Sequence, residues 1–111
     1  MDELIVQVVA QVYNVTVNQI KSDSRKGCLP EAKRMVIFIS NRVNLPLGRA
    51  AKNLNLSRTH VYRSVDKSAT EQALYKEVYF KYLQCLELLE TNLNTVYQES
   101  YNMLQALKNN N

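Results

Sequence analysis

The sequence predicts an all-α fold: a small helix-turn-helix domain followed by a long C-terminal helix. Three observations carry this. Apolar residues near the N-terminus and in the middle recur at helical spacing. The stretch Leu47–Lys67 has the residue pattern of two short helices joined by a tight turn. From Thr70 to the end there is neither glycine nor proline. The expected division is a domain over residues 1–69 and an amphipathic, heptad-patterned segment over 70–111.

Ile5, Val8, Val9 and Val12 share one helical face, so Glu3–Tyr13 is expected as an amphipathic helix. Asn14 is a suitable stop because asparagine tolerates the left-handed conformation. Thr16-Val-Asn-Gln19 is a capping-box pattern that opens a short second helix through Ile20 and Lys21. Ser22–Leu29 reads as a basic loop. Pro30 suits a helix start. Met35, Val36, Ile37, Phe38, Ile39 and Val43 make the next helix apolar nearly all round, as expected of a helix at the centre of a domain. Lys33, Arg34 and Arg42 at its ends are expected to remain free for phosphate.

Leu45-Pro46 then breaks the chain. In the following segment Ala51 is small enough for two helices to approach closely, and Leu54 lies on the same face. Asn55 occupies the turn position that needs positive φ, where asparagine is the next choice after glycine. Leu56 packs downward, Ser57 caps the second helix, and Val61 and Val65 point to the core.

Beyond Thr70 a seam of Tyr75, Tyr79, Tyr82, Leu86, Leu89, Leu93, Val96, Ser100, Met103 and Leu107 advances mostly in alternating steps of three and four. Residues 71–107 as one helix would reach about 55 Å. A domain of some 70 residues is only about 28 Å across. The first half is apolar more widely, with Leu74, Val78, Phe80, Leu83, Cys85 and Leu88. It is therefore expected to pack on the domain, and the second half to pair with another copy, through Leu86, Leu89, Leu93, Val96, Met103 and Leu107. A break near Thr91–Asn94, folding the segment back as a hairpin, is the alternative.

Composition narrows the function classes. The chain is 46% apolar and 22% charged, which suits a globular protein. The longest apolar run, Met35–Ile39, is too short for a bilayer. The Met-Asp-Glu-Leu start has no cationic leader pattern. A soluble cytosolic protein is expected. Cys28 and Cys85 have no metal-ligand spacing, and a lone His60 cannot complete a zinc site. Two isolated glycines supply no phosphate-cradling loop, and no nucleophile–base pattern is evident. No enzyme, cofactor, metal or small-molecule ligand is expected.

The net charge of +4 hides an asymmetry. Residues 21–67 hold eleven lysines and arginines against three acids, whereas the segments on either side are each net acidic by two. A concentrated basic block calls for a polyanion, and double-stranded DNA is the expected partner. A membrane surface fits poorly, because no helix combines a basic face with a wholly apolar one.

With Val61 pointing inward, about 100° per residue sets Thr59 and Arg63 nearly opposite the core. His60, Tyr62, Asp66 and Lys67 flank them, and Arg58 sits nearer the core edge. In a helix-turn-helix the start of the second helix enters the major groove. Arg63 and Arg58 are the candidates for guanine. Thr59 suits a base or a thymine methyl, and His60 a base or a phosphate. Asp66 is expected to hold Arg63 in place. Ser57 and the first amides of the helix suit a phosphate. Arg25, Lys26, Arg49, Tyr62 and Lys67 complete the expected DNA-binding set.

Four stretches are distinctive together: Ile5-Val-Gln-Val-Val-Ala-Gln-Val-Tyr-Asn-Val-Thr-Val-Asn-Gln-Ile20, Ser22-Asp-Ser-Arg-Lys26, Pro30 followed by Met35, and Leu45-Pro-Leu-Gly-Arg-Ala50. In their order, with a basic loop before the central helix, residues 4–67 resemble the C-terminal DNA-binding domain of the bacterial replication initiator DnaA. The resemblance implies an all-α domain in the bacterial cytosol, associated with the nucleoid, with Arg25 reaching DNA beside the main groove contact. The family's Gly-Gly-Arg-Asp-His-Thr-Thr-Val signature is replaced by Asn53-Leu-Asn-Leu-Ser-Arg-Thr-His-Val61, in which only Thr59 and Val61 match. The family's usual DNA site is therefore not expected. The Arg-Gln that follows the family's proline is here Glu31-Ala32, with Lys33 and Arg34 as expected substitutes for the lost phosphate contact. No ATPase domain precedes the module, so a stand-alone relative of phage or mobile-element type is expected. Its expected role is a dimeric, sequence-specific transcriptional regulator. Replication control, by competing with or assisting the host initiator, is one alternative. A protein-interaction module acting through the C-terminal helix is another.

Overall fold

The computed structural model describes residues 1–109, and all its regular structure is helical. Six helices follow in order: α1 (Asp2–Tyr13), α2 (Val17–Lys21), α3 (Leu29–Arg42), α4 (Leu47–Asn53), α5 (Arg58–Leu74) and α6 (Lys76–Asn109). The all-α class and the long C-terminal helix agree with the sequence expectation. The last two residues of the expected 70–111 segment lie outside the described residues.

Asparagine closes three of these helices by one device. Asn14, Asn44 and Asn55 have φ of 55°, 63° and 55°. In each case the asparagine N–H donates to the carbonyl three residues back. The next residue donates five residues back: Val15 to Ala10, Leu45 to Ser40 and Leu56 to Ala51. These paired bonds satisfy carbonyls that a helix end leaves open. The apolar residue after each asparagine then packs against the core. Asn14 and Asn55 match expectation, whereas Asn44 ends α3 before the Leu45-Pro46 break that the sequence suggests. At α2 the capping box forms in full, with Thr16 Oγ1 accepting from the Gln19 N–H at 3.0 Å and the Thr16 N–H donating to Gln19 Oε1 at 2.8 Å.

α3 is the central helix. It packs against α1, α2, α4 and α5, and this explains why Met35, Val36, Ile37, Phe38 and Ile39 are all buried despite facing different directions. α4 and α5 meet across the turn at residues 54–57, with Ala51, Leu54 and Val61 buried between them and α3. Ser57 Oγ accepts from the His60 N–H and caps α5 as expected.

The expected single helix from residue 71 onward is instead divided at Tyr75. α5 runs through residues 69 and 70 to Leu74, Tyr75 is extended, and α6 starts at Lys76. No glycine or proline marks this break; tertiary burial drives it. Turning there lets α6 lay Val78, Cys85 and Leu89 into the same core as α1. Burying Val78 and Leu89 contributes about 1.5–3 kcal/mol each. The helix bonds given up at the break leave the N–H groups of the exposed Lys76 and Glu77 to water, at about 1 kcal/mol per bond. Cys85 is fully buried, which pushes its thiol pKa up to about 12. Lys81 adds to the seam, its Nζ lying 4.4 Å from the centre of the Tyr13 ring and 3.7 Å from Glu31 Oε2. Burial, reinforced by the Glu31 carboxylate, raises the Tyr13 phenol.

The stripe that faces the core is Val78, Tyr82, Cys85 and Leu89: Tyr82 and Leu89 come from the expected seam, and Val78 and Cys85 from the wider apolar face of this half. Leu89 belongs to the expected pairing set, yet it is only 6% exposed within its own chain. It is a core residue, and Leu86 beside it is half-buried. Past Leu89 no domain lies beneath the helix, and Leu93, Val96, Met103 and Leu107 stand in solvent. There is no break at Thr91–Asn94: α6 is continuous for 34 residues, about 51 Å, close to the 54 Å length of the whole molecule.

Candidate nucleic-acid interface

Two adjoining clefts run between the loop at residues 22–27, α3 and the start of α5. One is lined by Ser57, Thr59, His60, Arg63, Ser64 and Lys67, with Arg34 opposite. The other is lined by Ser22, Asp23, Ser24, Arg25, Asn55 and Leu56, among others, and shares Arg34 and His60 with the first. Together they form one groove, open to solvent and edged by cations from two parts of the chain.

The α5 wall follows from helix geometry. Thr59, Arg63 and Lys67 are four residues apart and so stand in one row. All three are exposed, as is His60. Val61 is buried on the other side and Ser64 is buried at the floor of the cleft, and together they fix the rotation of the helix. The Ser64 hydroxyl donates to the His60 carbonyl at 2.8 Å, so a small polar residue serves where α5 packs tightly. Ser57, although occupied as a cap acceptor, keeps its hydroxyl proton for a ligand at the mouth of the cleft.

The opposite wall is held by a residue expected to do something else. Lys33 is buried, and its ammonium donates to the carbonyls of Ser22 and Ser24 at 2.6 and 2.9 Å. It ties the basic loop to α3 and is not free for phosphate, which corrects the sequence expectation. The loop turns at Gly27, whose φ of 55° suits glycine, and Arg25 and Lys26 project from it, both exposed. Arg25 lines the groove, whereas Lys26 stands outside the lining residues on the same loop.

Arg34 is the second correction. Its guanidinium makes a two-pronged pair with Glu71 of α5, at 2.6 and 3.0 Å, and both side chains are largely buried. It stands in the groove wall with its charge already matched. The pair braces α3 against α5 behind the row of Thr59, Arg63 and Lys67. The signal lay in the sequence only as one glutamate in a polar stretch, since a spacing of 37 residues has no local pattern.

Arg49 is likewise engaged. It pairs with Asp2 at 2.6 Å, in a shallow cleft lined by Met1, Glu3, Lys52 and Asn53, and lines neither cleft of the groove. Arg58 leans toward α4, with one guanidinium nitrogen 3.7 Å from where a side chain on Gly48 would begin. Arg58 and Tyr62 are exposed but do not line the groove. Arg42 rests on the Phe38 ring at 5.5 Å. The expected clasp of Arg63 by Asp66 does not form. Among the described residues the ion pairs are Lys21–Glu3, Arg34–Glu71, Arg49–Asp2 and Lys81–Glu31.

Of the expected binding set, the structure thus brings together Arg25, Ser57, Thr59, His60, Arg63 and Lys67. It leaves Lys26, Arg58 and Tyr62 at the margins and places Arg49 outside the groove, paired with Asp2. Asp23, Asn55 and Leu56 line the groove without having been expected there. Among the described residues no group of three or more His, Cys, Asp or Glu side chains is arranged to hold a metal, and no helix is long and apolar enough to cross a membrane. No protein-family model matches the chain, and no curated protein matches it.

Proposed function

We propose that this protein binds double-stranded DNA in a sequence-specific manner, as a small homodimeric transcriptional regulator, using α4 and α5 as a helix-turn-helix. One observation carries this reading. Arg25, Arg63 and Lys67 edge a single open groove and form no ion pair among the described residues, while Lys33 and Arg34 in its wall are engaged within the protein. Free cations gathered beside a helix N-terminus suit a phosphodiester backbone.

In this reading the start of α5 enters the major groove. Arg63 donates in bidentate fashion to a guanine edge, and Thr59 meets a neighbouring base. Ser57 and the first amides of α5 receive a phosphate, Lys67 takes a second, and Arg25 reaches the flanking strand from the loop. The resemblance of residues 4–67 to the initiator's DNA-binding domain supports the same placement of the loop and α5. The altered residues at 53–61 argue for a different target.

Titration of a random-sequence duplex at increasing salt tests DNA binding. Engaging about four phosphates gives a log–log slope of roughly −3.6, and selection from a random pool should return a recurring motif. Affinity that does not change with salt, or a pool that never enriches, would overturn the proposal.

A further inference from the structure

The distal part of α6 carries a second apolar row beside the continuation of the core stripe. Glu90, Leu93, Tyr97, Tyr101, Leu104 and Lys108 follow one another by three or four residues. At about 100° per residue they fall within an arc of roughly 80°. The apolar members are exposed, Leu93 by 41%, Tyr97 by 71%, and Tyr101 and Leu104 by 49% each. Between Thr91 and Asn109 the only charged residues are Glu99 and Lys108. Glu99 lies on the far side of the helix from this row. The row is therefore an apolar strip with an acid at its inner end and a base at its outer end.

We propose that two copies of the chain pair through this row with their α6 helices antiparallel and centred near Glu99, so that Glu90 of each copy meets Lys108 of the other. This rests on the homodimer part of the proposed function and is independent of DNA binding. Charge selects the direction. In an antiparallel pair the register that joins Glu90 to Lys108 also sets Tyr97 beside Tyr101 of the second copy, and Leu93 within one residue of Leu104. A parallel pair in register would instead oppose Glu90 to Glu90 and Lys108 to Lys108. Like charges face each other there with no compensating contact.

The charge pattern also selects a second copy over other occupants. Both halves of the complementarity are present in one chain. The polar flank of the helix is made of Asn, Gln and Thr, without the lysines and arginines that a membrane-surface helix needs. The overlap from Glu90 to Lys108 spans about 27 Å. That is short for the roughly 800 Å² per partner of a standard interface, so dissociation is expected at about micromolar concentration. The two-fold axis would cross α6 near Glu99 and set the two domains at opposite ends, so that they read an inverted repeat.

Sedimentation equilibrium without DNA tests pairing, and distances between paramagnetic labels test direction. The full chain carries Cys28→Ser, and labels are attached at Gln98→Cys or, separately, at Asn109→Cys; Cys85 is buried and does not react. A reversible dimer is expected, with labels at residue 98 close together and those at residue 109 separated by about 30 Å along the axis. Glu90→Lys and Lys108→Glu should each weaken the dimer about five-fold, and the double variant should recover it. A monomer at about 100 µM, equally short distances at both positions, or a double variant no better than the singles would each overturn the proposal. DNA binding is measured separately, so failure of either idea leaves the other to stand on its own test.

Discussion

Lys33 and Arg34 are neighbours on α3, and Arg63 and Lys67 stand one turn apart on α5. All four belong to the same basic stretch of sequence, yet the fold treats them in opposite ways. The α3 pair faces inward at the junction with the loop and α5, where open carbonyls and a carboxylate need donors. The α5 pair faces outward, away from Val61, and forms no ion pair among the described residues. The basic block is thus two populations. One holds the groove together, and the other stands unpaired in its wall. Counting charge along the chain cannot separate them, because the difference depends on which way each helix is rotated.

The separation can be broken deliberately. Lys33→Ala removes a buried donor from two carbonyls at once. It should cost about 2–3 kcal/mol of stability in urea unfolding, since bonds to a charged donor contribute more than neutral ones. Loop residues should also gain hydrogen exchange, and DNA affinity should fall indirectly through Arg25. Arg63→Ala should show the opposite profile. Affinity for a selected site is expected to drop by about 1–3 kcal/mol with relaxed sequence preference, while the melting temperature stays unchanged.

Glu71→Gln would move a residue from one population to the other. Arg34 loses its carboxylate, which should lower stability by about 1–2 kcal/mol, less than for a fully buried pair because both side chains retain some exposure. The freed guanidinium already lines the groove, so the salt dependence of DNA binding should steepen by about one phosphate per copy. An unchanged slope would mean that Arg34 serves only as a brace. Arg49→Ala should have the smallest effect. Its pair with Asp2 is exposed on the arginine side and lies off the groove, so both stability and DNA affinity should change by less than about 0.5 kcal/mol.

The two halves of α6 show the same dependence on surroundings. Both carry apolar residues at three- and four-residue steps, but only the first half has a domain beneath it. Tyr82 and Leu89 therefore become core, while Leu93, Val96, Met103 and Leu107 remain on the surface. The seam read from the sequence treated Leu89 and Leu93 as equivalent. Their difference lies in where the packed core ends beneath α6, which spacing along α6 does not encode.

Much of the architecture was legible because it is local. Thr16 and Gln19 are three residues apart, Ser57 caps the helix it precedes, and Asn14 and Asn55 relieve their own helix ends. The all-round apolar character of α3 announced a central helix for the same reason: every face of it is written in adjacent residues. The row of Thr59, Arg63 and Lys67 needed only one inward-pointing valine to be located.

What the sequence determined by itself was the set of helices, most of their ends and the outward face of α5, since these depend on interactions within about one turn. The tertiary structure decided which cations stay free, that the chain breaks at Tyr75 without a breaking residue, and where core ends along α6. Each of those outcomes pits burial or pairing across distant segments against local preference. Residues 37 positions apart, such as Arg34 and Glu71, come together only after the helices have packed.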